Sequence, residues 1–106
     1  MTREEILNAA KQCVCQDRND QYGSPEDNFK TIAYLWTNYL NAGSALRQEI
    51  GITIKAKDVA VMMILLKVAR IATGSGSQDN WIDLAGYAAC GGEIEGKDND
   101  PSIDRH

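Results

Sequence analysis

Two polar segments of this chain carry residue types that can bind a phosphorylated ligand. The first covers residues 17–29 and the second covers residues 79–87, and each combines carboxylates, an aromatic side chain and a helix start. Between them, on the most apolar stretch of the sequence, lie the cations Lys67 and Arg70. Cations and free helix-terminal amides hold phosphates, and aromatic rings stack bases. We therefore interpret the two segments as parts of one mixed-charge ligand site.

The spacing of the charges predicts which of them meet. A short connection joins the helix that carries Lys67 and Arg70 to the helix that carries Asp79 and Asp83, and short connections make helices antiparallel neighbours. Residues three or four apart share a helix face, so the two cations are expected beside the two carboxylates. That segment 17–29 joins this cluster is a hypothesis based on its similar chemistry. The candidate ligand-binding residues are Arg18, Tyr22, Ser24, Asn28, Lys67, Arg70, Trp81 and Tyr87.

Three interpretations of the charge cluster stay open at this level. The first is a network of salt bridges that fixes the helix pair and has no other role. The second is a nucleotide pocket, in which the cations and the helix start near Pro25 bind phosphate and an aromatic ring stacks the base. The third is a magnesium site, in which Asp79 and Asp83 hold a hydrated cation that the phosphates of a substrate complete.

The elements that must position these residues are helices, because the apolar periodicity is helical throughout. We predict an all-α, compact four-helix domain over residues 1–92, followed by a short acidic C-terminal tail over residues 93–106 that is disordered or loosely packed. The predicted helices begin and end near residues 3–17, 25–41, 53–72 and 78–90.

Local signals set the predicted helix ends. Thr2 and Glu5 have the spacing of a capping box, and Ser24 before Pro25 is a favoured helix start. Thr53 is predicted to cap the third helix. The predicted stops are Asn41-Ala42-Gly43 for the second helix and Gly91-Gly92 for the fourth.

The third predicted helix is apolar on every face over residues 59–66. A helix of this kind must be surrounded, and three neighbouring helices in so small a domain do not suffice to cover it. We therefore expect the chain to assemble as a homo-oligomer.

The charge distribution argues against a polymeric partner. The net charge is −4, but residues 1–92 carry ten acids and nine bases, so the predicted helical domain is close to neutral. A near-neutral surface gives little attraction for DNA or RNA, so we expect no nucleic-acid polymer as partner. No apolar stretch reaches the roughly 20 residues that span a bilayer. With no signal-peptide core at the N-terminus, the expected location is the cytoplasm, with the three cysteines as reduced thiols and no cofactor.

Four motifs together resemble those of a family of small phage and prophage proteins, described only as a domain of unknown function. The resemblance covers roughly residues 5–92 and implies a virus-encoded, helical, cytoplasmic protein. The motifs lie in residues 22–29, 58–63, 67–70 and 79–87.

A looser resemblance links the chain to helical domains associated with phage nucleotide modification and to MazG-like all-α nucleoside triphosphate pyrophosphohydrolases. In MazG-like enzymes a Glu-Glu pair on one helix and a Glu-x-x-Asp on another hold magnesium. Residues 79–84 look like the second motif, with Asp in place of Glu. The first motif has no counterpart, since Glu4-Glu5 lies in a capping box and Glu26-Asp27 lies in the first turn after Pro25.

The missing carboxylates lead us to binding rather than hydrolysis as the first hypothesis. The predicted function is a phage-encoded homo-oligomer that binds a nucleotide-type small molecule and sequesters a host immune signal without turnover. The alternative is a MazG-like, Mg-dependent hydrolase with Asp79 and Asp83 as metal ligands. A second alternative is a protein-binding module that blocks a host factor.

Overall fold

The described residues fold into four α-helices and one π-helical segment. The computed structural model describes residues 1–17, 24–47, 51–74 and 76–98, and within these ranges the regular structure is entirely helical, which confirms the all-α prediction. The elements are α1 (Arg3–Gln12), a π-helix that continues it (Cys13–Asp17), α2 (Pro25–Arg47), α3 (Ala56–Thr73) and α4 (Gln78–Asp98). Nowhere in these ranges does a helix combine the length and apolarity that crossing a membrane requires.

The first two helices start as their sequences predict. The Thr2 hydroxyl accepts the Glu5 N–H at 3.1 Å, and the Glu5 carboxylate accepts the Thr2 N–H at 3.2 Å, which completes a capping box. At the start of α2 the Ser24 hydroxyl accepts the Asp27 N–H at 3.3 Å. Both arrangements satisfy backbone donors that have no partner inside the helix.

The predicted boundary between α2 and α3 is wrong at both ends. α2 continues through residues 41–43 to Arg47, because the Asn41 side chain does not cap the helix but bonds the backbone of Ile52, donating at 2.6 Å and accepting at 2.7 Å. α3 begins at Ala56 rather than after Thr53, since the Asp58 carboxylate accepts the Lys55 N–H at 3.0 Å.

The predicted end of α4 is also wrong. The helix continues through Gly91-Gly92 to Asp98, and Ile94 is buried in the core. Tertiary contact outweighs the low helix propensity of glycine here. Residues 93–98, which the sequence analysis assigned to the acidic tail, are therefore helical and carry a core residue. Residues 99–106 lie outside the described ranges.

α3 and α4 form an antiparallel pair that organises the domain. Three contacts define one register: Lys57 with Glu95, Ala60 with Gly91, and Lys67 with Asp83. A Cβ atom built at Gly91 would lie 3.0 Å from the Ala60 Cβ atom, so the two backbones approach too closely for a larger residue. The short connection thus produces the antiparallel neighbours that its length predicts.

The other two helices pack on this pair and complete the core. α2 contributes Phe29 and Ala33 to a cluster whose other members come from α3 and α4, and it contacts both of these helices. α1 runs beside α4, with the Met1 amino group 3.4 Å from the Gln78 Oε1 atom. The buried cluster consists of Phe29, Ala33, Val59, Ala60, Cys90 and Ile94.

An ion-pair network fastens the end of α4 to the start of α2. The Lys97 ammonium lies 2.8 Å from Glu26 and 3.1 Å from Glu93. The hydrogen bond from Lys97 holds the pKa of Glu26 below its ordinary value, and Glu26 and Glu93 raise the pKa of Lys97. Glu26 is thus stabilised as a carboxylate in the folded chain.

Substituting the two adjacent glycines of α4 should have opposite effects on stability. Gly91→Ala places a methyl group against Ala60, whose Cβ cannot turn away, so we expect the free energy of unfolding to fall by about 1 kcal/mol. At Gly92 a Cβ meets nothing within 4 Å, so Gly92→Ala should raise it by about 0.5–1 kcal/mol through helix propensity alone. Urea unfolding of both variants tests this, and equal effects would contradict the close contact.

The Glu26–Lys97 pair should make stability depend on pH in a defined direction. The pKa of Glu26 is lower in the folded chain than in the unfolded chain, so the pair stabilises above the ordinary Glu pKa of about 4.3 and this contribution disappears as pH falls through the lowered value. We expect Glu26→Gln to lower the melting temperature at pH 7 and to match the parent protein once the pH has fallen below the lowered pKa of Glu26.

The matched control is Asp27→Asn, which removes a charge from the same helical turn and leaves the Lys97–Glu26 pair in place. Melting curves of the parent and both variants between pH 3 and pH 7 provide the measurement. An identical pH dependence of the two variants would contradict the role of Lys97.

Candidate functional site

A cleft lies where the end of α1, the start of α2 and the middle of α4 meet; we call it the α1–α2–α4 cleft. Its empty volume is about 480 Å³, including the open space at its mouth, and the part wide enough for a water molecule is about 30 Å³. It is lined by Cys13, Val14, Pro25, Asn28, Phe29, Ile82, Asp83, Gly86, Tyr87 and Cys90.

Local backbone features shape one wall of the cleft. The chain leaves the α-helical geometry of α1 at Cys13 and continues as a π-helix to Asp17. A π-helix has a wider turn, and such turns are frequent at functional sites. Opposite this wall, a Cβ at Gly86 would lie 3.0 Å from a methyl carbon of Val14. The glycine inside α4 thus allows the Val14 side chain to approach that helix closely.

Three polar residues converge on a mostly apolar wall. Asn28 projects from the first turns of α2, and Asp83 and Tyr87 project from α4, one helical turn apart. The Tyr87 and Phe29 rings lie beside each other, with centroids 6.2 Å apart and planes inclined by 33°. An apolar pocket with a few convergent polar groups is the usual form of a small-molecule site.

Asp83 is anchored from behind by a buried cation. The Lys67 ammonium lies 2.9 Å from the Asp83 Oδ2 atom, with the Lys67 side chain 9% exposed and the Asp83 side chain 24% exposed. A charge buried to this extent is stable only with a partner. The contact that the sequence predicted between Lys67 and Asp83 is therefore present, whatever further role Asp83 has.

The two cations predicted to bind phosphate, Lys67 and Arg70, lie in different environments. Lys67 is buried against Asp83, whereas Arg70, one turn later, is exposed. The two residues lie on one helix face, but this face is buried at Lys67 and exposed at Arg70. The ammonium of Lys67 is committed to a carboxylate, so the pair does not form the double phosphate clamp that its spacing suggested.

The structure separates the remaining candidates from the cleft. The Ser24 hydroxyl caps α2, and Asp79 and Trp81 are exposed near the start of α4, with Trp81 51% exposed. Of the described candidates, Asn28, Asp83 and Tyr87 line the cleft, and Lys67 bonds Asp83 from behind. Arg18 and Tyr22 lie outside the described residues.

Asp79 and Asp83 are placed unfavourably for a shared magnesium ion. The Asp83 carboxylate already bonds an ammonium group, and that positive charge opposes cation binding. Within the described ranges, no three His, Cys, Asp or Glu side chains gather into a group that could hold a metal ion.

Sequence reasoning missed most of the apolar lining. Helical periodicity predicts inward positions such as Phe29 and Cys13, but it does not say whether an inward residue meets a neighbour or a cleft. Gly86 is the residue whose type points to this wall of the cleft, because an interior glycine in a helix indicates close approach. No sequence pattern predicted the π-helix that begins at Cys13.

Within the described residues, this geometry defines a small all-α protein with an apolar cleft and a largely buried Lys67–Asp83 ion pair. The chain belongs to the family described as Domain of unknown function (DUF6378), which it matches over residues 5–95. This confirms the resemblance to a small phage family that its motifs indicated.

Two curated relatives are phage proteins. The chain is 39% identical over 87 residues to the Gene 55 protein of Mycobacterium phage D29, covering 82% of this chain and 51% of that protein. It is 39% identical over 83 residues to the Gene 55 protein of Mycobacterium phage L5, covering 78% and 47%. The chain thus spans about half the length of the curated relatives it matches. No solved structure matches it.

Removing Lys67 should destabilise the protein far more than removing an exposed lysine of the same helix. Lys67→Met leaves the Asp83 carboxylate half-buried without its partner, so we expect a loss of about 2 kcal/mol. Lys57 pairs with Glu95 at 3.8 Å on the surface, so Lys57→Met should cost less than about 0.5 kcal/mol.

Urea unfolding of the two variants provides the comparison, and a double variant tests the coupling. Lys67→Met combined with Asp83→Asn should cost clearly less than the two single changes added together, because the second change removes the unpaired charge. Simple additivity would show that the contact is not energetically coupled.

Proposed function

We propose that the α1–α2–α4 cleft binds the base of a nucleotide-type small molecule. The observation that carries this proposal is the convergence of Asn28, Asp83 and Tyr87 on an apolar cleft between three helices. Most of the empty volume of about 480 Å³ is open space at the mouth of the cleft, so a ligand would lie partly in solvent.

The polar groups match the edge of a base with an exocyclic amine. A side-chain amide pairs with a base through one donor and one acceptor, as Asn does with adenine, and a carboxylate accepts from an amino group. One Asp83 oxygen accepts from Lys67, and the carboxylate keeps further lone pairs for a ligand. The aromatic rings of Phe29 and Tyr87 offer a surface for stacking.

The cleft must widen to admit a ring. Only about 30 Å³ is wide enough for water, and about 10–15 Å³ is needed for one water molecule. Tyr87 is half-buried and lies in the lining, so rotation of its side chain is a simple way to open the cleft. The phosphates of the ligand would then face the solvent.

Binding without turnover suits the buried ion pair. Lys67 neutralises the carboxylate that a metal-dependent hydrolase would need, which favours a binding protein over the MazG-like alternative. The similarity to phage proteins supports this role, since a phage gains from removing a host immune signalling nucleotide in the host cytoplasm. Such sequestration requires only affinity and abundance.

A thermal-shift screen tests the function directly. The panel contains nucleoside mono- and triphosphates, cyclic di- and trinucleotides and ADP-ribose isomers, each with and without magnesium. A ligand at a hundred times its dissociation constant should add about 2.7 kcal/mol of stability. We expect a magnesium-independent shift and full recovery of intact ligand after heat release. Magnesium-dependent release of pyrophosphate would instead establish the hydrolase, and no shift across the panel would contradict both.

A pair of variants on α2 locates the binding site. Asn28→Leu keeps the side-chain size and removes the amide in the cleft, so calorimetric affinity for the ligand found in the screen should fall by about 10- to 100-fold. Asn38→Leu makes the same change at an exposed position of the same helix and should leave affinity unchanged. Equal affinity of the two variants would place the ligand elsewhere.

A further inference from the structure

The surface of α3 that points away from α4 is apolar and uncovered; we call it the outer face of α3. Val61, Leu65, Val68 and Ala72 recur at intervals of three and four residues, and Met62, Leu66 and Ala69 form a second row beside them. All seven are exposed, and Leu65 is 60% exposed. From residue 59 to residue 69 the outward positions of this helix carry no charge.

This face differs from the exposed side of an ordinary surface helix. A surface helix places polar and charged residues opposite its apolar stripe, whereas α3 is apolar on both sides. Its inner side holds Val59 and Ala60, which are completely buried. The helix that supplies the fully buried Val59 and Ala60 therefore also presents an exposed apolar row on its other side.

The area of this face fits a second copy of the same chain. Five of its side chains, Val61, Met62, Leu65, Leu66 and Val68, are 41–60% exposed. At about 80 Å² for each half-exposed side chain, they present roughly 400 Å². Two such faces would bury roughly 800 Å² of apolar area, and because homodimer interfaces are about 65% apolar, this corresponds to roughly 1,200 Å² in total. That value lies at the lower end of stable specific interfaces.

We propose that the outer face of α3 is the contact between two copies of this chain. A two-fold pairing brings the same face of each copy together, and no exposed residue between positions 59 and 69 is charged, so the faces meet there without like-charge repulsion. Lys67 points from the opposite side of α3 towards Asp83, so the contact leaves the α1–α2–α4 cleft of each copy open. The dimer and the ligand site are therefore independent.

The mass of the purified chain in solution tests this proposal. We expect light scattering after size exclusion to give about twice the 11.7 kDa of one chain at micromolar concentration. Leu65→Glu places a carboxylate of each copy at the contact, so the dissociation constant should rise by at least about 100-fold and the mass should fall to that of one chain. Because Leu65 is exposed within one copy, circular dichroism should show unchanged helix content.

The matched control is Leu35→Glu on α2, where the side chain is 58% exposed. This variant should remain a dimer. That result would show that the dimer depends on the outer face of α3 and not on any exposed apolar side chain. A monomeric parent protein, a dimeric Leu65→Glu variant, or loss of the dimer in Leu35→Glu alone would each overturn the proposal. A Leu65→Glu monomer that binds the ligand of the parent protein would support the independence of cleft and contact, whereas lost binding would overturn that independence.

Discussion

The close contact between α3 and α4 is the constraint on which the rest of this structure depends. Gly91 lies against Ala60 because neither side chain keeps the backbones apart, and the same register places Lys67 opposite Asp83 two turns away. With the pair set at this distance, α2 can cross both helices and insert Phe29 and Ala33 into one shared core. A larger residue at the glycine would press against Ala60, so the two helices would have to move apart at this point.

The buried ion pair decides the chemical character of the cleft. Lys67 on its own would make the site attractive to phosphate, and Asp83 on its own would make it attractive to a cation. Joined at 2.9 Å, they cancel each other, and the cleft is nearly neutral with a few oriented polar groups. Recognition in such a site depends on shape, stacking and hydrogen bonds more than on net charge. This is the physical basis for expecting a base, rather than a phosphate, inside the cleft.

The proposed ligand site and the proposed contact between copies lie on different sides of the same helix pair. The cleft opens between α1, the start of α2 and α4, while the uncharged outer face belongs to α3. The DUF6378 family and the two mycobacteriophage proteins place this domain in phages, and about half of each of those relatives lies outside the matched region. An independent cleft and contact face would let one domain combine a small-molecule site with self-association.

The sequence by itself determined the helical class through its periodicity, and the helix starts at Thr2 and Ser24 through their capping chemistry. It also determined the antiparallel α3–α4 pair and the contact of Lys67 with Asp83, because the connection between these helices is short. It did not determine where helices end when a distant partner holds them, so Asn41 and Gly91-Gly92 looked like stops. Only the tertiary structure decided that Lys67 is buried while Arg70 is exposed, and that Ile94 belongs to the core. It also decided that Asn28 and Tyr87 line the same cleft as Asp83. The reason is physical: burial and crossing angles arise from contacts between segments far apart in the chain, which local propensity does not encode.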